Sequence, residues 1–140
     1  MAKHIVQKLI FKNTNPKALY DLYMNAKQHS AVTGAPAAIT TKVGSKFSAH
    51  NGYITGENIE LLKDALIVQT WRGSDWERAD PDSIFIIQLE PKGKNVLLHM
   101  IHAGVPDQHA EHLAKGWHDH YWEPWKKLIQ SKKGSTHKSK

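Results

Sequence analysis

The chain reads as an α+β helix-grip fold: a curved antiparallel β-sheet wrapped around a long C-terminal α-helix, with two short helices after the first strand. Three observations predict it. From Val43 to His102 the chain is a meander of strand-like runs separated by short turns, short enough for neighbouring antiparallel hairpins. The stretch GWHDHYWEPWKKLI, residues 116–129, places apolar side chains at helical spacing. Between these and an N-terminal strand, Leu19, Leu22 and Tyr23 make one apolar helical face.

In chain order, Lys3 to Lys12 reads as the first strand, with β-branched content. Asn15 then serves as an N-cap with Pro16 at the first helical position, where its missing N–H costs nothing. A second short helix around Asn25–Ser30 is broken by Gly34 and Pro36. Val43–Phe47 enters the sheet, and His50-Asn51-Gly52 turns it back, Asn-Gly being the strongest short hairpin signal. Tyr53–Leu62 and Ala65–Arg72 join at Lys63-Asp64, a polar loop occupies 73–82, and Ser83–Glu90 and Asn95–His102 form a second hairpin. Gly104-Val105-Pro106 ends the sheet, and Asp107 is expected to cap a single helix running to about Gln130.

Alternation puts Phe85, Ile87 and Leu89, and across from them Val96, Leu98, Met100 and His102, on the inner face. Trp71 and Arg72 point to opposite faces. Trp71 is assigned inward, because a cationic head is costly to bury without a partner. At 100° per residue, Ala110, Leu113, Trp117, Tyr121, Pro124 and Leu128 lie within about 40° of one line facing the sheet. Pro124 must bend this helix or leave a carbonyl unpaired near His120. Trp122 falls about 140° off the stripe, so its burial needs cover from the first helix or a sheet edge.

The 140 residues fit one domain, residues 1–130, followed by a basic tail, 131–140, expected to be disordered. No apolar run spans a membrane, no secretory signal is visible, and the absence of cysteine removes disulfides, thiolate nucleophiles and Cys-based zinc sites. A cytoplasmic location is expected. The net charge of +6 suggests nucleic-acid binding at first sight, but four of the lysines lie in the last ten residues. Residues 1–130 hold fifteen basic and thirteen acidic side chains, and two of the basic ones are arginine, the residue whose fork best matches bases and phosphates. No nucleic-acid partner is expected.

Ten histidines raise the question of a metal. His109 and His112 share the start of the helix but diverge by about 60° around its axis, and His120 is roughly 16 Å further along. No HExxH motif appears, so neither a metal nor a cofactor is expected. No phosphate loop or GxSxG elbow is present, and Ser30, Thr33, Glu57 and Asp75 lack a visible base–orienter partner. No catalytic residue is assigned. His102, ending a strand on the inner face, reads either as a polar group at a cavity mouth or as a hydrogen-bonded structural histidine.

The segments HSAVTGAPAAI, VGSKF, NGYITGENIEL, IVQTWRGSDW, HAGVP and GWHDHYWEPWKKLI resemble the homologues of the activator of the heat-shock-protein-90 ATPase, within the SRPBCC (START-like) superfamily. The likeness runs from about Ile5 to Ile129 and implies the same helix-grip fold. In the eukaryotic co-chaperone, a domain of this kind follows another that makes major contacts to the chaperone, and 140 residues leave no room for that partner domain here. The wider superfamily holds apolar molecules in the grip cavity.

The resulting expectation is a non-enzymatic binding protein holding a small hydrophobic ligand between sheet and helix. Its cavity is expected to draw on Phe47, Trp71, Trp76, Phe85, Ile87, Met100, His102, Leu113, Trp117 and Tyr121. The alternatives are a chaperone-associated or stress-response interaction protein and, third, an enzyme acting on a cavity-bound substrate. A chaperone partner and a homodimer stay open.

Overall fold

A computed structural model describes residues 2–138, with side chains through Ser131. The elements are β1 (Ala2–Phe11), α1 (Pro16–Met24), α2 (Ala26–Thr33), β2 (Lys46–Ala49), β3 (Ile54–Leu62), β4 (Leu66–Gly73), β5 (Ser83–Lys92), β6 (Asn95–Pro106), α3 (Asp107–Trp117), a π-helical turn (His118–Trp122) and α4 (Glu123–Lys138). All six strands pair antiparallel in the order β1-β6-β5-β4-β3-β2. The curved sheet and the helices laid against it form a helix grip.

Local chemistry explains most boundaries. The Asn15 side chain accepts from the N–H of Ala18 at 2.9 Å, and Pro16 opens α1. Asn25 closes α1 and caps α2 by accepting from Gln28, and Gly34 ends α2 in the left-handed conformation that glycine adopts without penalty. His50, Asn51 and Gly52 are all left-handed, with φ of 52°, 56° and 88°, which turns β2 back onto β3. The face assignments on β4, β5 and β6 match the structure: Trp71, Phe85, Ile87, Leu89, Val96, Leu98, Met100 and His102 are all buried.

Two expectations about the C-terminal helix are corrected. Asp107 is not its cap: Pro106 occupies that position without a side-chain bond, and Asp107 is the first helical residue, where its charge suits the positive end of the helix. Nor is the helix one continuous α-segment. At its centre the N–H of Glu123 bonds the carbonyl of His118, five residues back. The next residue, Pro124, has no N–H to give the carbonyl of His120, and the wider turn accommodates that defect. It also changes which residues face inward. In an α-helix, positions five apart diverge by about 140°; the π-turn takes up an extra residue and brings them back together. Trp122 therefore stacks on Trp117 with centroids 5.7 Å apart and planes 18° apart, and is 0% exposed. Beyond the turn, Trp122 and Trp125 are buried while Pro124 and Leu128 are only half-buried. α4 continues past the boundary expected near Gln130; the tail's side chains from 132 on lie outside the described residues.

The cover for Trp122 comes from the sheet edge. Its indole N–H donates to Gln7 Oε1 at 2.7 Å, Gln7 Nε2 donates to the carbonyl of Ala114 at 2.9 Å, and Phe11 meets Trp122 edge-on. Indoles and phenyl rings run from Trp76 through Trp71, Trp117 and Trp122 to Trp125 and Phe11. This aromatic spine fills most of the space between sheet and helix.

Candidate functional site

Beside the spine, a cleft of about 190 Å³ lies between the β2–β3 hairpin and α3 with its π-turn. Trp71, Leu113, Trp117, Tyr121 and Ile54 form its floor. His50, His112 and His120 stand around it with Tyr53, and Gly116 leaves its helical wall open. A Cβ on Gly116 would meet nothing nearer than His120 Cδ2 at 3.8 Å.

Tyr121 is the polar centre of the cleft. Nδ1 of His29 lies 2.8 Å from the carbonyl of Tyr23. A carbonyl only accepts, so Nδ1 carries the proton and Nε2 of His29 accepts the Tyr121 hydroxyl at 2.8 Å. The tyrosine oxygen then accepts from Nε2–H of His50 at 3.1 Å. Burial raises the Tyr121 hydroxyl above the usual phenol range. Burial first, then the charges of His120 and His29, push His50 down to about 4, and burial lowers His29 as well. The rings of His50 and His120 sit 5.6 Å apart. At the edge, the Tyr53 hydroxyl donates to Asp75 at 2.7 Å.

Of the residues expected to line a cavity, Trp71, Leu113, Trp117 and Tyr121 line this cleft. The other six are buried elsewhere. Phe85 stacks flat under Trp117 at 4.4 Å, Ile87 and Met100 pair across β5 and β6, and Phe47 lies beside Gly56. Trp76 belongs to the β4–β5 loop and stacks on His109 at 5.8 Å. Arg72, pointing outward, secures that loop by donating to the carbonyls of Asp80 and Glu77 and to Asp82 Oδ1.

His102 has the structural role. Its Nδ1 accepts from the Trp117 indole at 3.2 Å, so Nε2 carries the proton and donates to Ser83 Oγ at 2.8 Å, whose hydroxyl donates to the carbonyl of Trp71. Burial pushes His102 down to about 3. The Ser83–His102 pair has the spacing of a nucleophile and its base, but the hydrogen bond runs the opposite way and both groups are buried. Ser30 and Thr33 hydroxyls are committed to nearby backbone. Among the described residues no three His, Cys, Asp or Glu side chains converge as a metal site.

His50, Tyr53, Ile54, His112, Gly116 and His120 were missed by sequence reasoning. His50 read only as part of a turn, and His112 and His120 only as metal candidates set aside by their spacing; the hairpin's approach to the helix is a tertiary contact with no local signal.

Comparison with known proteins places this architecture. The mouse activator of 90 kDa heat shock protein ATPase homolog 1 is 30% identical over 110 residues, 79% of this chain and 32% of the relative. The chain thus spans about a third of the length of the curated relatives it matches. In structure, an HSP90 activator from Plasmodium falciparum superimposes with a TM-score of 0.79 at 24% identity, covering 93% of this chain and 96% of that one. The Aha1 dimer from Colwellia psychrerythraea gives 0.72 at 14%, covering 86% and 92%. These two likenesses carry the fold alone. The sequence match carries more: the family model described as Activator of Hsp90 ATPase homolog 1-like protein aligns with residues 13–130, and the chain belongs to that family.

Proposed function

We propose that this chain is a non-enzymatic interaction protein that binds an Hsp90-type chaperone and stimulates its ATPase. The observation that carries the reading is the 30% identity over 110 residues to the mouse activator. The interior supports it: Trp71, Trp117, Trp122 and Trp125 are packed where a large apolar ligand would sit, which leaves surface contact as the main route to function. A cytoplasmic location goes with this reading. Adding the purified protein to a purified Hsp90-type chaperone should raise ATP turnover severalfold and saturably, with co-sedimentation of the two. No co-sedimentation and no change in turnover would overturn the proposal. The same sedimentation run reads the subunit count and so tests for a homodimer.

A second reading, a small ligand held between sheet and helix, is favoured by the cleft at Tyr121, which is too small for a lipid tail and large enough for one ring. Ligand retained by the native protein, read by mass spectrometry, tests it.

A further inference from the structure

We infer that the cleft between the β2–β3 hairpin and α3 binds a small aromatic carboxylate, its ring among Trp71, Trp117 and Tyr121 and its carboxylate between His50 and His120. The inference deepens the ligand reading above, rests on it, and is independent of the chaperone.

Size sets the ligand class first. An apolar cavity of about 150 Å³ takes a benzene ring, and this cleft measures about 190 Å³. A single ring with one polar substituent fits, whereas drug-sized ligands fill pockets of about 300 Å³ or more. The floor is made for a ring. Trp71 and Trp117 line it with their centroids 5.9 Å apart and their planes tilted by 49°; the faces of Trp117 are taken by Phe85 and Trp122, so a bound ring meets its edge, an approach that aromatic pairs favour. Gly116 leaves the helical wall without a side chain where the ring would enter.

The polar groups set the sign of the substituent. The cleft's lining includes imidazoles at His50, His112 and His120 and no Asp or Glu. Two carboxylates on adjoining segments already have partners: Asp75, at the cleft's edge, accepts from Tyr53 at 2.7 Å, and Asp119 pairs with Lys115 at 2.6 Å. His50 is faced by His120 and Tyr121 from the π-turn and by His29 from α2. Burial, and after it the neighbouring imidazoles, disfavour its cation. A carboxylate between the His50 and His120 rings supplies the missing counter-charge, with a charge-assisted hydrogen bond to each. Nε2–H of His50 is already given to Tyr121, so Nδ1 is the nitrogen that takes up the proton and meets the anion.

Two probes of similar size test this by NMR titration of the full chain: benzoate, and benzyl alcohol as an uncharged counterpart. Saturable shifts are expected at Gly116, His50 and the indole N–H groups of Trp71 and Trp117 with both. Benzoate should bind several-fold tighter at pH 5, where proton uptake by His50 costs least, and the preference should shrink by pH 8. Benzoate should also move the His50 ring titration upward. Gly116→Leu should abolish binding of both probes. His50→Gln combined with His120→Gln keeps a donor for Tyr121 and should bring benzoate down to the affinity of benzyl alcohol. That variant still reads the proposal if Gly116→Leu fails to fold. Equal affinity of the two probes for the unmodified protein overturns the anionic class while leaving the cleft as a site for neutral rings. No saturable shift with either probe overturns the ligand reading as a whole.

Discussion

Trp122 shows how much one side chain depends on its hydrogen bond and neighbours. Its indole is sealed between Trp117, Phe11 and Trp125 and tied to Gln7. Trp122→Phe should cost about 1–3 kcal/mol, since it leaves Gln7 Oε1 without its donor; a denaturant melt within error of the parent would refute the bond's role. Trp117→Ala removes the ring that stacks on both Phe85 and Trp122 and should cost about 3–5 kcal/mol. A loss below about 1 kcal/mol would contradict its burial. Gly56 is constrained by space: a Cβ there would fall 1.9 Å from the carbonyl oxygen of Thr70, backbone of the paired strand. Gly56→Ala should therefore destabilise by about 1–3 kcal/mol, again read from melts. An unchanged midpoint would mean that β4 yields easily.

At the scale of the element, the π-turn allows two apolar faces of different phase to meet one sheet. Upstream, Ala110, Leu113 and Trp117 face inward; downstream, Trp122 and Trp125 do. Joining the two stretches by ordinary α-helix requires one residue fewer. Deleting Asp119, an exposed residue whose partner Lys115 is also exposed, should keep Trp122 and Trp125 in phase and buried, at a cost of about 3 kcal/mol for returning Pro124 to an α-helical interior. Inserting an alanine after Asp119 should instead throw Trp122 and Trp125 out of phase and collapse the melting transition. Paired thermal melts with tryptophan emission spectra decide: equal damage from deletion and insertion would contradict this phase role.

At the scale of the molecule, two buried histidines, His29 and His102, and the half-buried His50 couple stability to pH. His102 is held near 3, His50 near 4 and His29 below its ordinary value, each chiefly by burial. In the unfolded chain they protonate around 6.5. Below that pH the unfolded state binds more protons than the folded one, so their contribution is complete above 6.5 and is lost as pH falls toward the folded values. Melting temperature should therefore decline from just below pH 6.5, above the range where carboxylates titrate. A flat profile from pH 7 to 5 would refute the burial of these rings.

The sequence alone determined the element order, the inward faces of β4 to β6 and the cap at Asn15, because each rests on spacing or on a local hydrogen bond. It also carried the family, through motifs spread from the second helix to the last. Tertiary structure decided the rest. Whether Trp122 was core or surface depended on a π-turn that a fixed angle of 100° per residue cannot represent. The cleft was equally hidden, since His50 and His120 are 70 positions apart in the chain and meet only where the β2–β3 hairpin folds over the helix. Which aromatic residues line that cleft and which fill the core follows from packing across the sheet. Alternation reports the face a side chain takes, and only the assembled layers decide whether a neighbour already occupies the space in front of it.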